Sequence, residues 1–248
     1  MLKGKKIVLG VTGGIAVYKA VDLVSKLRKQ GAEVRVVMTE HAQQFVTPLT
    51  FKEISGNKVA VSMWNANQEF NVEHIALADW ADLFMVVPAT ANIIAKMAYG
   101  IADDLLSTTL LAAHSPVIVC PAMNTHMYEN PATQENIAKI KSRGIVVMPP
   151  ASGILACGAV GAGRLPEPAD IVNFVKDFFA KTEGDMRGLK VLVTAAGTRE
   201  PIDPVRFITN HSSGKMGYAL ARAAMHRGAE VTVVAAHTDV EPPLFVNV

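Results

Sequence analysis

The chain predicts an α/β fold, a doubly wound parallel sheet of Rossmann-like type followed by a partial second Rossmann-like unit. Two observations carry this. Lys6–Thr39 and Lys190–Ala236 each run from an apolar strand through a glycine-bearing turn into an amphipathic helix, then through GAEV into a second apolar strand; that is a βαβ unit, which implies parallel pairing. Enough chain follows the first copy to complete a domain, whereas only residues 237–248 follow the second. One site is therefore expected to be complete and the other cut short.

The elements follow in order. Residues 6–12 (KIVLGVT) are continuously apolar, as a strand buried on both faces requires. Gly13-Gly14 break the run. Val17, Ala20, Val21, Val24 and Leu27 then recur at helical spacing, with Lys19, Lys26, Arg28 and Lys29 assigned to the solvent side. Gly31 ends that helix and 33–38 is the second strand. Residues 40–60 read as helical or irregular. A strand at 82–87 stops at Pro88, helices take 91–99 and about 103–113, and a strand at 116–120 stops at Pro121. Helix 131–143, a short strand at 145–148 and a closing helix at 168–180 complete the first domain. Between the last two lies 151–168, rich in glycine and without periodicity, which reads as a functional loop or flap. The polar stretch KTEGDMRG suits a linker. The expected division is a first domain at 1–181, a linker at 182–188 and a domain fragment at 189–248.

Composition narrows the function classes. Half of the 248 residues are hydrophobic, which suffices for a sizeable core. Net charge is only +2, and no basic run marks a nucleic-acid surface. MLKGKKIVLGV reads as a buried strand rather than a signal peptide, because glycines interrupt its apolar part. No stretch approaches the roughly 18 to 20 apolar residues that span a bilayer. The two cysteines, Cys120 and Cys157, form no CxxC, which argues against a disulfide framework or zinc ribbon and for a reducing cytoplasm. Asn210-His211-Ser212 is then a chance sequon.

In an open parallel sheet, ligands bind beyond the carboxyl ends of the strands. Those ends carry Gly13, Gly14 and Ile15, then Thr39, then Ala89, Thr90 and Asn92, then Asn124. Paired glycines let backbone amides face a phosphate at the following helix start, while Thr39, Thr90 and Asn92 offer neutral donors. Neither turn is GxGxxG, and the second strand ends in Thr39 rather than an acid that would grip an NAD ribose. A mononucleotide suits the site better than a dinucleotide; a plain tight turn remains the alternative. Ser213–Gly217 (SGKMG) fails as a P-loop, because Thr209 replaces the first glycine and Met216 the magnesium-holding hydroxyl. It still sets Gly214 and Lys215 at a helix start.

Three residues are candidates for chemistry. His74 lies among apolar neighbours and is either structural or a proton carrier. Asn124 follows a strand end, where it either caps a helix or overhangs the crevice. Cys157 sits in the glycine-rich loop and is the better candidate for an exposed thiol, while Cys120, within PVIVC, reads as core. No metal site is expected: His114, His126 and His211 lack ligand spacing, and HExxH does not occur.

Taken together, GVTGGIAVYKA, VMTEHA, PATANIIAKMAYGIADDLLSTTLLA, PAMNTHMY and LACGAVGAGRLPEP resemble the flavin-dependent cysteine decarboxylases. VTAAGTREPIDPVRFITNHSSGKMG resembles the start of the ligase fused to them in bacteria. The resemblance, to the bifunctional phosphopantothenoylcysteine decarboxylase/phosphopantothenate–cysteine ligases of coenzyme A synthesis, covers essentially the whole chain. One departure is Tyr128, where the family's PxMNxxM motif usually continues with Trp.

The resemblance implies a flavoprotein fold with FMN as cofactor, and 4′-phosphopantothenoylcysteine as substrate. His74 matches the family's active-site histidine, Asn124 the asparagine that handles the substrate carboxylate, and Cys157 the flap cysteine. It implies decarboxylation to 4′-phosphopantetheine through thioaldehyde and enethiol intermediates, with Cys157 returning a proton. It further implies FMN between protomers of a trimer, with trimers sometimes assembling further into a dodecamer. For the tail it implies a CTP site served by Mg²⁺, with Asn210, Ser212, Gly214 and Lys215 in its motif; ligation by residues 189–248 alone is not expected. A non-catalytic flavoprotein that regulates a partner is the competing class, and an NAD-linked oxidoreductase is disfavoured by both turns.

Overall fold

The computed structural model describes residues 2–64, 72–154 and 160–248. They form two compact units, Leu2–Val172 and Asn173–Val248.

The first unit is built on a six-stranded parallel sheet. Its strands are β1 (Lys6–Val11), β2 (Glu33–Met38), β3 (Val59–Ala60), β4 (Leu83–Ala89), β5 (Val117–Pro121) and β6 (Val146–Val147), in the order β3-β2-β1-β4-β5-β6. The helices between them are α1 (Val17–Lys29), α2 (Glu40–Gln43), α3 (Pro48–Ser55), α4 (Glu73–Trp80), α5 (Ala91–Tyr99), α6 (Leu105–Ala112), α7 (Thr125–Glu129) and α8 (Pro131–Ser142). Every residue of β4 and all but the first of β1 are buried. Continuous apolar strands of this kind require cover on both faces. On one face Val8, Phe84, Val86 and Val119 pack with Ile93, Ile94 and Ala98 of α5, Leu105 and Leu106 of α6, and Ile137 and Ile140 of α8. On the other, α1 buries Val17, Ala20, Leu23, Val24 and Leu27 and packs against α3 and β2.

Several expectations need correction. Lys19 is buried, not on the solvent side, because its ammonium finds partners within the fold. Val21 is only partly buried, and Leu23 takes the core position instead. The segment 40–60 holds two helices and also β3, which is too short to carry a period of its own. β4 and β5 run into Pro88 and Pro121 instead of stopping before them. Both prolines sit at the strand ends, where a missing N–H costs no central ladder bond. The glycine-rich stretch is not wholly irregular: β7 (Ala151–Ile154) and β8 (Val160–Arg164) pair antiparallel. Glycines at alternate positions hide that strand pattern.

α9 (Pro168–Glu183) carries the chain across the division and runs two residues into the stretch read as linker. The second unit contains β9 (Lys190–Ala195), β10 (Arg199–Pro201), β11 (Phe207–Thr209), α10 (Lys215–His226) and β12 (Glu230–Ala235). β9 and β12 pair in parallel, and α10 covers one face through Tyr218, Ala221 and Met225 against Ala195, Val231 and Val233. Leu192 and Val234, on the other face, are exposed. The β10–β11 hairpin between β9 and α10 was not legible, since its strands are only three residues long, Pro201 ends the first and Pro204 lies in the connection.

Candidate active site

β1 and β4 are neighbours although β2 and β3 intervene in sequence, so the strand order switches between them. A crevice is expected beyond the carboxyl ends of strands at such a point. A cleft of about 640 Å³ lies there, within the range of small-molecule sites. Thr12 joins the two strand ends: its hydroxyl donates to the Pro88 carbonyl (2.7 Å) and accepts from the Thr90 N–H (3.1 Å).

One wall is the turn from β1 into α1, formed by Gly13, Gly14, Ile15 and Ala16. No side chain caps α1, and its first turn holds no acid. Val17 and Lys19 N–H donate to the Gly14 and Ala16 carbonyls (both 3.0 Å), so what this helix start offers an anion is chiefly the positive end of its dipole, unopposed by any acid. Thr90 and Ala91 bring the start of α5 to the same cleft, with Thr90 Oγ1 accepting from Ile93 N–H (3.4 Å). The two glycines differ. A Cβ on Gly13 would collide with His41 Cβ and lie 2.8 Å from the His41 carbonyl carbon, so close packing explains that glycine. A Cβ on Gly14 would meet nothing nearer than Thr90 Cγ2 at 3.9 Å. Gly14 thus leaves a space that the fold itself does not fill, as a backbone cradle for a phosphate would.

The opposite wall joins the β5–α7 loop to β8. Met123, Asn124 and Met127 line it together with Gly163, Arg164 and Leu165. Met123 N–H donates to the Gly163 carbonyl at 2.9 Å. Gly163 has φ +127°, and a Cβ there would run into the Met123 carbonyl oxygen, so only glycine permits this approach. Lys19 Nζ donates to the Leu165 carbonyl (3.1 Å) and to Glu167 Oε1 (2.9 Å), fixing the end of this wall to α1. That hydrogen bond, with Arg164 alongside, holds the Glu167 carboxyl below its ordinary range.

The structure brings Gly13, Gly14, Ile15, Thr90 and Asn124 together in the cleft. Asn124 also caps α7, its Oδ1 accepting from His126 N–H at 2.9 Å, so both of its sequence-derived roles are occupied at once. Ala89, Thr39 and Asn92 flank the cleft without being among its lining residues. Ala89 ends β4, Thr39 caps α2 by accepting from Ala42 N–H, and Asn92 is exposed on the first turn of α5. His74, half-buried on the first turn of α4, does not line the cleft either. Cys157 lies outside the described residues. Cys120 is fully buried in β5, and burial pushes its thiol up to about 12, so it is held protonated. In the second unit, Asn210, Ser212, Gly214 and Lys215 sit together before and at the start of α10, with Asn210 Oδ1 accepting from Ser212 N–H at 3.0 Å. Lys19, Arg164 and Met127 were missed as site residues, since a charged or exposed helical position reads as solvated. The signal that could have found Lys19 is the lone acid Glu167 in an otherwise uncharged GAGRLPEP apart from Arg164.

Among the described residues no helix is long and apolar enough to cross a membrane. The Flavoprotein family model matches residues 1–180, and that of the DNA/pantothenate metabolism flavoprotein C-terminal domain matches 186–248. The chain is 52% identical over 246 residues to the coenzyme A biosynthesis bifunctional protein CoaBC of Vibrio vulnificus (strain YJ016), covering 99% of this chain and 61% of that protein. It is 50% identical over 244 residues to the protein of the same name from Bacillus subtilis (strain 168), covering 98% and 60%. The chain thus spans about three-fifths of the length of these relatives. Among solved structures it is similar to a cysteine-to-serine mutant of PPC decarboxylase complexed with pantothenoylaminoethenethiol, with TM-score 0.63 and 32% identity over 71% of this chain and 99% of that one. The FMN-dependent cysteine decarboxylase SpaF matches with TM-score 0.58 and 32% identity over 66% and 91%. The match of that family model over residues 1–180, on the parallel sheet described above, places this chain in the Flavoprotein family.

Proposed function

We propose that the chain is an FMN-dependent decarboxylase that converts 4′-phosphopantothenoyl-L-cysteine to 4′-phosphopantetheine in coenzyme A biosynthesis. The observation that carries this is the switch-point cleft, where an uncapped helix start and the open face of Gly14 meet the Met123–Asn124 loop. The similarity to CoaBC proteins and to cysteine decarboxylases supports the choice of substrate. Gly13, Gly14, Ile15 and Thr90 hold the cofactor, with Thr39, Ala89 and Asn92 supporting it from the adjoining strand and helix ends. When bound, FMN would supply two-electron redox chemistry, as acceptor and then donor, at the substrate's thiol-bearing carbon.

The protein supplies position and protons. Direct loss of CO2 from a cysteine carboxylate would leave an unstabilised carbanion, whereas oxidation to a thioaldehyde first provides an electron sink. Asn124 orients the carboxylate, and its place on a capped helix start keeps it rigid. His74 carries the proton at the thiol side, and Cys157 returns one to the enethiol carbon. His74 lies outside the cleft lining, and Ile15, Tyr18 and Met127 expose large apolar surfaces at its rim. These features support a site completed by another copy of the chain, in a trimer that assembles further.

We further propose the division at 1–181 and 189–248, with the second part opening a phosphopantothenate–cysteine ligase domain. Asn210, Ser212, Gly214 and Lys215 there face CTP and its Mg²⁺. Denaturing the purified protein and identifying the released chromophore tests the cofactor. FMN is the expected product; a colourless protein that takes up no added FMN contradicts the reading.

A further inference from the structure

The cleft contains a second feature suited to an anion, built from side chains of α1 and β8. The charged side chains among its lining residues are Lys19 and Arg164, and both engage one carboxylate, Glu167 Oε1, at 2.9 and 2.6 Å. Two cations against one anion leave this wall with one positive charge. The two cations are not equivalent. The Lys19 side chain is 8% exposed and its ammonium is committed to Glu167 and the Leu165 carbonyl. The Arg164 side chain is 44% exposed and meets Glu167 through Nη2. Arg164 follows Gly163, whose carbonyl is fixed to Met123 N–H, so its backbone is anchored beside the Asn124 loop. Lys19 and Glu167 therefore act as a strut, and Arg164, tied to the same carboxylate but more exposed, is the lining cation left accessible to a ligand.

The cofactor's phosphate does not require this charge. Gly13, Gly14 and the starts of α1 and α5 already offer backbone donors and dipoles at the switch point. Resting on the proposed substrate, we propose that Arg164 is a specificity-determining residue that binds the terminal phosphate ester of the phosphorylated pantetheine-type ligand, with Lys19 and Glu167 positioning it. A phosphate monoester carries about −1.5 to −2 charge at neutral pH. A guanidinium matches it bidentately, which a lysine point charge cannot do.

The test uses the FMN-loaded protein and compares 4′-phosphopantetheine with pantetheine by titration calorimetry, in wild type, Arg164→Ala and Arg164→Lys. Neither ligand has the reacting carboxylate, so that group cannot contribute. The wild type should prefer the phosphorylated ligand. Arg164→Ala should weaken its binding by about 10- to 100-fold, the worth of a charge-assisted contact. Pantetheine affinity and FMN retention should stay within about two-fold of wild type, and Arg164→Lys should recover part of the preference. Equal weakening of both ligands, no weakening, or no preference in the wild type would overturn the assignment. Loss of FMN with ligand preference intact would place the flavin phosphate there instead, and would also overturn it. Binding is read without turnover, so a wild type that binds selectively but does not decarboxylate would refute the proposed reaction while leaving the phosphate subsite standing.

Discussion

Gly13 and Gly14 are adjacent yet serve different ends, and substitution should separate them. Gly13→Ala forces a methyl against His41 and should lower both stability and FMN affinity. Gly14→Ala has room in the fold and should leave the melting temperature nearly unchanged while weakening FMN by about ten-fold or more, since the added methyl occupies the cradle. Titrating both variants with FMN while following thermal unfolding checks this; normal FMN affinity in Gly14→Ala would mean that the cofactor lies elsewhere. His74→Asn should retain FMN but lose about 10²- to 10⁴-fold in decarboxylation, the usual share of a general acid–base group. Activity within a few-fold of wild type would make His74 structural. The glycines and Asn124 were legible because glycine and proline punctuate strand ends. Lys19 and Arg164 were not, because a charge on a helix or in a glycine-rich stretch reads as solvated until its partner is known.

α6 shows how an element edge is stabilised. Asp104 caps it, its Oδ1 accepting from Ser107 N–H at 2.7 Å while Ser107 Oγ accepts from the Asp104 N–H at 3.1 Å. Lys96 of α5 binds Asp103 and Asp104 together at 2.5 and 2.8 Å. Burial alone would raise the Asp104 carboxyl, but the hydrogen bonds from Lys96 and Ser107 outweigh it and hold it below its ordinary value. Its stabilising effect is thus complete above the unfolded carboxylate pKa and is lost as pH falls through the lowered folded value. Asp104→Ala should cost about 1 to 2 kcal/mol at neutral pH. Asp104→Asn should keep most of the cap but flatten the acid limb of stability against pH. Urea unfolding from neutral to acid pH measures both, and an unchanged acid limb in Asp104→Asn would show that the charge contributes nothing. Helix 91–99 was read correctly to its ends, since Thr90 and Gly100 mark both caps. The β7–β8 and β10–β11 hairpins were missed, because glycine and proline removed the alternation that identifies a strand.

The parallel, doubly wound sheet followed from two βαβ signatures and continuous apolar strands; its strand order did not. Nor was it legible whether His74 belongs with its own cleft or with that of another copy, because a single sequence carries no record of neighbouring chains. If the site is shared between copies, co-expressed His74→Asn and Asn124→Ala chains should regain decarboxylation that each lacks alone, since a mixed assembly contains some intact pairs. Activity no greater than the sum of the two would place the whole site in one chain. The most direct test of the central claim is CO2 release by the FMN-loaded protein from substrate labelled at the cysteine carboxylate. One labelled CO2 for each 4′-phosphopantetheine formed, abolished by removing FMN and restored by its return, is the predicted result. No labelled CO2 from a protein that retains its flavin, or release that persists without it, would contradict the account.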